Sequence, residues 1–295
     1  MRIALLGWYC HGNLGDEAML EGFKLLLSNH HVTAYNDYSV DLRGINQSDL
    51  FILGGGELIN TTRLFLPIEH WIRKVSVPRI IFSCGVNAEN YDQLEPHVKQ
   101  DLECFQYIGV RDRAAYDMLK ASPLSDRVHL TLDTSLLLQP PKHTSTSGLA
   151  TIIPTDRKHK EYDAGILATN ITQTVASRLA VDLKRHGITE ANLLAFGGDD
   201  NDDFETCRQI APHLNIPTKI IKPNNPTEAM QYLAQSEVAY THRLHGMLLA
   251  YLTQTPFLCY GYHRKVKRMF DTLNLLEVEA ARQIVQTKIV EATKI

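Results

Sequence analysis

The sequence predicts an α/β protein made of two doubly wound domains facing across a cleft. Three observations predict it. Short apolar runs alternate with stretches of helical periodicity along nearly the whole chain. Most of the apolar runs end in small, polar or charged residues, as the carboxyl edges of a parallel sheet do when they line a cleft. A proline- and Ser/Thr-rich break, Gln139 to Gly148, divides the alternation into two similar halves and reads as a linker.

In the first half, Arg2–Leu6 is a continuous apolar strand signal that ends at Gly7. A loop with Gly7, Gly12 and Gly15 follows, and apolar residues then recur at Ala18, Met19, Phe23, Leu26 and Leu27, which is helix spacing. Asp16 and Glu17 suit the first helical turn as cap and dipole partners. The loop is neither GxGxxG nor a Walker sequence, so it reads equally as a tight turn or as a substrate-facing loop. Further strands are expected at Val32–Tyr35, Asp49–Leu53, Arg79–Ser83, Tyr107–Val110 and His129–Leu132. The third ends in Gly54-Gly55-Gly56-Glu57, where three glycines signal close approach of a ligand or another segment, and Glu57 falls near an expected helix start. The fifth runs into Arg111-Asp112-Arg113 and a helix through about Lys120.

The second half restarts the alternation. Strands are expected at Leu149–Ile153, Asn192–Phe196, Thr218–Ile221, Glu237–Thr241 and Pro256–Tyr260. Helices are expected at Asn170–His186, Glu205–His213, Thr227–Gln235 (capped by Thr227 or Asn225) and Leu244–Thr253. A final helix, Leu276–Val290, closes the pattern. This organisation reads as two Rossmann-like domains of the glycosyltransferase-B type: 1–140, a linker at 141–148, 149–275, and a C-terminal helix at 276–295 with room to cross back.

Composition narrows the function classes. The chain of 295 residues is 44% hydrophobic and 21% charged, enough to bury large cores. A net charge of -3 gives no global pull toward nucleic acid. No apolar run approaches a membrane span, and the first residues carry no signal-peptide pattern, so the expected location is the cytoplasm. The five cysteines are scattered, without zinc or disulfide spacing. The acidic run Asp199, Asp200, Asp202 and Asp203 lacks EF-hand spacing and reads as a solvated loop or helix cap rather than a divalent-cation site. The basic run His263 to Arg268 follows the last strand, where Lys265 is its best candidate to reach a ligand; contact with an anionic membrane surface is a weaker reading.

The densest chemistry lies at His242-Arg243-Leu244-His245-Gly246, where strand hands over to helix. Unpaired helical N–H groups favour an anion there. Arg243 adds a permanently charged fork suited to phosphate or carboxylate. His242 and His245 add groups that titrate near neutral pH.

Taken together, these motifs resemble the polysaccharide pyruvyl transferase family. The resembling parts are Gly12-Asn13-Leu14-Gly15-Asp16-Glu17-Ala18, Leu53-Gly54-Gly55-Gly56-Glu57-Leu58, Val110-Arg111-Asp112, Asp133-Thr134-Ser135, and Arg243-Leu244-His245-Gly246 followed by Pro256, Tyr262 and Lys265-Val266. They span residues 1 to about 275. Ser83-Cys84-Gly85-Val86-Asn87 keeps one glycine where the family carries a longer glycine-rich run.

The resemblance implies transfer of the carboxyvinyl unit of phosphoenolpyruvate to sugar hydroxyls, as a cyclic pyruvate ketal on a surface polysaccharide or its lipid-linked precursor. Phosphoenolpyruvate is then a co-substrate, and no metal or other cofactor is implied. His245 becomes the acid/base residue and Arg243 the donor clamp, with Arg111, Lys265, His242 and Gly246 as further donor-binding candidates. Asn13, Gly15, Asp16, Glu17, Gly55, Gly56 and Glu57 are the acceptor or loop candidates, and the resemblance makes 1–140 the expected acceptor side and 149–275 the expected donor side. The rivals are a nucleotide-sugar glycosyltransferase of the same fold and a non-catalytic anion- or sugar-binding protein.

Overall fold

The computed structural model describes residues 1–64, 71–155, 171–198, 203–260, 264–274 and 276–294. The expected features at Asp199, Asp200, Asp202, Tyr262 and His263 lie outside them. The chain forms two compact units. Unit 1 contains Met1–Cys10, Met19–Leu137 and Arg268–Ile295; unit 2 contains His11–Ala18 and Leu138–Lys267.

In unit 1, strand β1 (Arg2–Leu6) leads to helix α1 (Leu14–Leu26), whose first turns, through Ala18, group with unit 2. Then come β2 (His31–Tyr35), α2 (Leu42–Asn46), β3 (Leu50–Gly54), the short β4 (Ile59–Asn60), β5 (Arg79–Cys84) and β6 (Val86–Asn87). Helix α3 (Pro96–Leu102), β7 (Tyr107–Val110), α4 (Arg113–Lys120) and β8 (Val128–Leu130) follow. The main sheet has the order β2-β1-β3-β5-β7-β8, all parallel, so each connection is a crossover. Strand β3 is buried along its whole length, as a central parallel strand covered on both faces must be. Asp112 caps α4 by accepting the Ala115 N–H at 2.9 Å.

In unit 2, β9 (Thr146–Ile153) is followed by α5 (Ile171–Arg185), β10 (Glu190–Leu194), α6 (Asp203–Ile210), β11 (Thr218–Ile221), α7 (Pro226–Gln235), β12 (Ser236–Thr241), α8 (Leu244–Leu252) and β13 (Phe257–Cys259). The parallel order is β11-β10-β9-β12-β13. The strand order therefore reverses between β9 and β12, and a crevice at that point is the usual ligand position of such a sheet. Of the two caps expected for α7, Asn225 is the one used, accepting from the Glu228 N–H at 2.9 Å.

Two helices close the chain, α9 (Arg264–Leu273) and α10 (Val278–Ala292). Helix α10 belongs to unit 1. It buries Ala281, Val285, Ile289 and Ala292, one face at helical spacing. Its Arg282 Nε donates to the Leu136 carbonyl at 2.9 Å, and the Tyr107 hydroxyl donates to the Lys288 carbonyl at 3.3 Å. No described helix is long and apolar enough to cross a membrane.

Several expectations need correction. Glu57 does not start a helix: the chain enters β4, which pairs in parallel with β6. The linker is shorter than expected, because Thr146, Ser147 and Gly148 already belong to β9. The basic run is a helix, α9, and it buries Val266, Met269 and Leu273 while Arg264 and Lys267 remain exposed. The unit boundaries also depart from 1–140 and 149–275, since the first glycine loop groups with unit 2 and Arg268 onward with unit 1.

Candidate functional site

The carboxyl end of β12 is tied down by its own sequence. Thr241 is fully buried; its Oγ1 accepts the Arg243 N–H at 3.1 Å and its hydroxyl donates to the Arg243 carbonyl at 2.9 Å. The chain therefore turns within two residues, and Arg243 becomes the N-cap residue of α8 with extended backbone. The His242 N–H donates to the Ile153 carbonyl at 2.9 Å, joining the ends of β12 and β9. Gly246 lets α8 begin this close to the strand, since a Cβ there would lie 2.3 Å from Thr241 Oγ1.

The members of the motif take different positions. His242 is buried, its ring tilted against Tyr260 with centroids 5.6 Å apart. The Tyr260 hydroxyl donates to Asp182, and burial, then Asp182, push it far above the usual phenol range. His242 is thus part of the packed wall. Arg243 keeps 15% of its side chain exposed, and its Nη2 contacts Asp203 Oδ1 at 2.5 Å. Its Nε makes no hydrogen bond among the described residues. Of the two readings, solvated loop or helix cap, Asp203 excludes the first at its own position: it stands at the start of α6 with a fully buried side chain. One turn on, the buried Cys207 thiol is pushed up by burial and then by Asp203, which keeps it protonated.

The first glycine loop comes to the same place. The Leu14 N–H donates to the Phe196 carbonyl at 3.0 Å, and a Cβ on Gly198 would lie 1.8 Å from the His11 carbonyl oxygen. A Cβ on Gly15 would lie 2.0 Å from His245 Nδ1 and 2.6 Å from its Cγ. Gly15 and His245 are each the second residue of their helix, so the N-termini of α1 and α8 meet there. The loop candidates Asn13, Gly15, Asp16 and Glu17, expected on the acceptor side, therefore group with the unit that carries Arg243 and His245. Asn13 is the residue that caps α1: its Oδ1 accepts the Gly15 N–H at 3.0 Å, and its carbonyl accepts the Asp16 and Glu17 N–H groups at 3.1 Å. Asp16 and Glu17 occupy the first turn and are not the cap.

The remaining candidates lie elsewhere. Arg111 is in unit 1, with 3% of its side chain exposed and Nη1 3.6 Å from Asp133 Oδ2. A Cβ on Gly85 would lie 2.8 Å from its Nη2, so the single glycine of that loop makes room for a buried guanidinium. This contradicts the picture of Arg111 as a presented clamp. Gly55 and Gly56, also in unit 1, have φ of +81° and +83°, which only glycine adopts without strain. Their close neighbours are protein: the Tyr9 hydroxyl donates to the Gly54 carbonyl, and the Gly56 N–H meets Met19 Sδ at 3.0 Å. Glu57 is half-buried between these glycines and β4. Lys265 is a partly exposed residue of the first turn of α9. Among the described residues no group of three or more His, Cys, Asp or Glu is arranged to hold a metal ion.

The model of the polysaccharide pyruvyl transferase family matches residues 13–264. No curated protein matches the chain. Solved structures match over its whole length. S. aureus MnaA in its structure with UDP is 8% identical with a TM-score of 0.58, over 99% of this chain and 96% of that one. The UDP-GlcNAc 2-epimerase from Methanocaldococcus jannaschii is 10% identical with a TM-score of 0.55, over 98% and 100%. The Neisseria meningitidis UDP-GlcNAc 2-epimerase, bound to UDP-GlcNAc, is 12% identical with a TM-score of 0.52, over 100% of both chains. At such identities the likeness concerns fold alone. With the two parallel sheets, the fold is α/β with two Rossmann-like domains, of the glycosyltransferase-B type.

Proposed function

The chain belongs to the polysaccharide pyruvyl transferase family, and from that membership we propose that it moves the carboxyvinyl unit of phosphoenolpyruvate onto two hydroxyls of a sugar, forming a pyruvate ketal on a surface polysaccharide or its lipid-linked precursor. One observation carries the reading. Arg243, His245 and the N-termini of α8 and α1 converge in unit 2, beside the point where the strand order reverses. Two helix dipoles and a guanidinium suit a small, multiply charged anion carrying phosphate and carboxylate. Phosphoenolpyruvate is such an anion.

The chemistry asks for one proton delivered and two removed. The methylene carbon C3 takes a proton, C2 becomes electrophilic, and a sugar hydroxyl adds to C2 while losing its proton. The C2–O bond to phosphate then breaks, and the second hydroxyl closes the ring as its proton leaves with inorganic phosphate. His245 is the group for the proton transfers, with Arg243 holding the donor beside it; such transfers contribute ~10²–10⁴ in rate. Arg111 has no place in this scheme, because its guanidinium is buried against Asp133. Lys265 remains a candidate second cation for the donor.

The test is phosphate release from phosphoenolpyruvate across soluble and lipid-linked glycans, with mass spectrometry for the pyruvyl gain on the acceptor. A thermal shift with nucleotide sugars and none with phosphoenolpyruvate would overturn the proposal in favour of a nucleotide-sugar glycosyltransferase.

A further inference from the structure

We propose that Asp203 is the positioning residue for Arg243, and that its buried carboxylate aims the guanidinium at the donor anion. The inference rests on the reading of Arg243 as donor clamp. Asp203 has no exposed side-chain surface, and its Oδ1 lies 2.5 Å from Arg243 Nη2. The two residues come from different elements, the start of α6 and the N-cap of α8, so the contact is a tertiary one.

A buried ion pair is an expensive way to hold a fold together. Desolvation offsets much of the attraction, and apolar replacements are often as stable. What the pair supplies is direction. An arginine side chain has many rotamers, and Thr241 fixes only the Arg243 backbone. The carboxylate engages Nη2 and leaves Nε, which is itself buried and makes no hydrogen bond among the described residues. A buried guanidinium N–H without a partner is costly until something accepts from it. A phosphate or carboxylate oxygen of the donor is the acceptor that this arrangement fits.

The experiment is a double-mutant cycle on the full chain with Asp203→Asn, Arg243→Met and the pair together. Phosphoenolpyruvate and inorganic phosphate are titrated by calorimetry, alongside steady-state kinetics and thermal melts. Asp203→Asn keeps the shape and an acceptor oxygen but removes the charge. The expected result is donor binding weakened on the order of tenfold, with KM raised more than kcat is lowered. In the Arg243→Met background the same change is expected to weaken binding no further, because residues acting through one contact are not additive. Wild-type affinity in Asp203→Asn overturns the inference, and so does an equal loss in both backgrounds. If Asp203→Asn does not fold, Asp203→Glu, which keeps the charge on a longer arm, supplies the measurement: a raised donor KM is expected, and an unchanged one counts against positioning. Should the wild type bind inorganic phosphate but not phosphoenolpyruvate, the proposed function fails, and the phosphate titrations still decide the role of Asp203. A wild type that binds neither anion overturns both.

Discussion

Gly15→Ala is the most direct probe of the site, because it adds one methyl group where the structure leaves no room. The new Cβ would lie 2.0 Å from His245 Nδ1 and 2.6 Å from Cγ, whereas ordinary contact begins at 3.4 Å. The imidazole would have to retreat by about 1.4 Å to reach that distance. Turning the ring about its own axis does not help, because Cγ, at the root of the ring, is itself too close. The side chain must take another rotamer or α8 must shift. A misplacement of ~1 Å costs about 10²-fold in rate. The backbone at Gly15 is not in the left-handed region, so alanine adds no backbone strain there, and higher helix propensity adds up to about 1 kcal/mol. Overpacking subtracts about 1–3 kcal/mol. The net effect on stability is therefore a loss of up to about 3 kcal/mol. The assay is phosphate release at saturating phosphoenolpyruvate and acceptor, with a parallel urea melt. A kcat lower by about 10², in a variant that the melt shows still folded, is expected. Wild-type turnover in Gly15→Ala would refute the placement of His245 against this loop as a catalytic requirement.

Further expectations follow from the same geometry. His245→Ala should lose most turnover, by ~10²–10⁴, while calorimetry still detects donor binding; unchanged turnover would end its assignment. Gly246→Ala sets a Cβ 2.3 Å from Thr241 Oγ1 and 3.0 Å from Ile153 Cδ1, so a loss of about 1–3 kcal/mol is expected in denaturant melts. Asp112→Asn retains the acceptor that caps α4 and removes a carboxylate whose pKa is raised, chiefly by burial and partly relieved by the Ala115 N–H. A raised folded-state value means that wild-type stability is fully present below the usual 3.8 and is lost as pH rises through the folded value. Asp112→Asn should therefore gain stability over wild type at pH 7, and the gain should shrink in melts run toward pH 4; a gain independent of pH would count against it.

Much of the fold was legible because period and punctuation are local. Strands such as Arg2–Leu6, Tyr107–Val110 and Thr218–Ile221 are short apolar runs bounded by turn residues, and the structure has them at those residues. Helix α9 was hidden because four basic residues mask an apolar spacing of three and four, Val266, Met269 and Leu273. The pair β4 and β6 was hidden because strands of two residues carry no period. At the site, Arg243 and His245 stood out as charged groups at a strand-to-helix junction. Their partners did not. Asp203 and Gly15 lie far away in the chain, and no spacing rule links an acid in a run of acids, or a glycine in a turn, to a particular distant side chain. Arg111 shows the converse. Beside a strand end it reads as a ligand contact, yet Asp133 and the space over Gly85 bury it.

The discontinuity of unit 1 bears on how the protein is made. Its first long segment ends at Leu137, and its last segment starts only at Arg268. At ribosomal speeds of ~5–20 residues per second, the intervening stretch takes roughly 7 to 26 seconds to emerge. Through that interval the seat of α10 beside Tyr107 and Leu136 waits uncovered on the nascent chain. Unit 2, apart from its borrowed loop, is contiguous and complete before unit 1 is. Synthesis order and folding order therefore diverge: the half begun first is finished last, and its unfilled apolar groove is the surface a chaperone would meet.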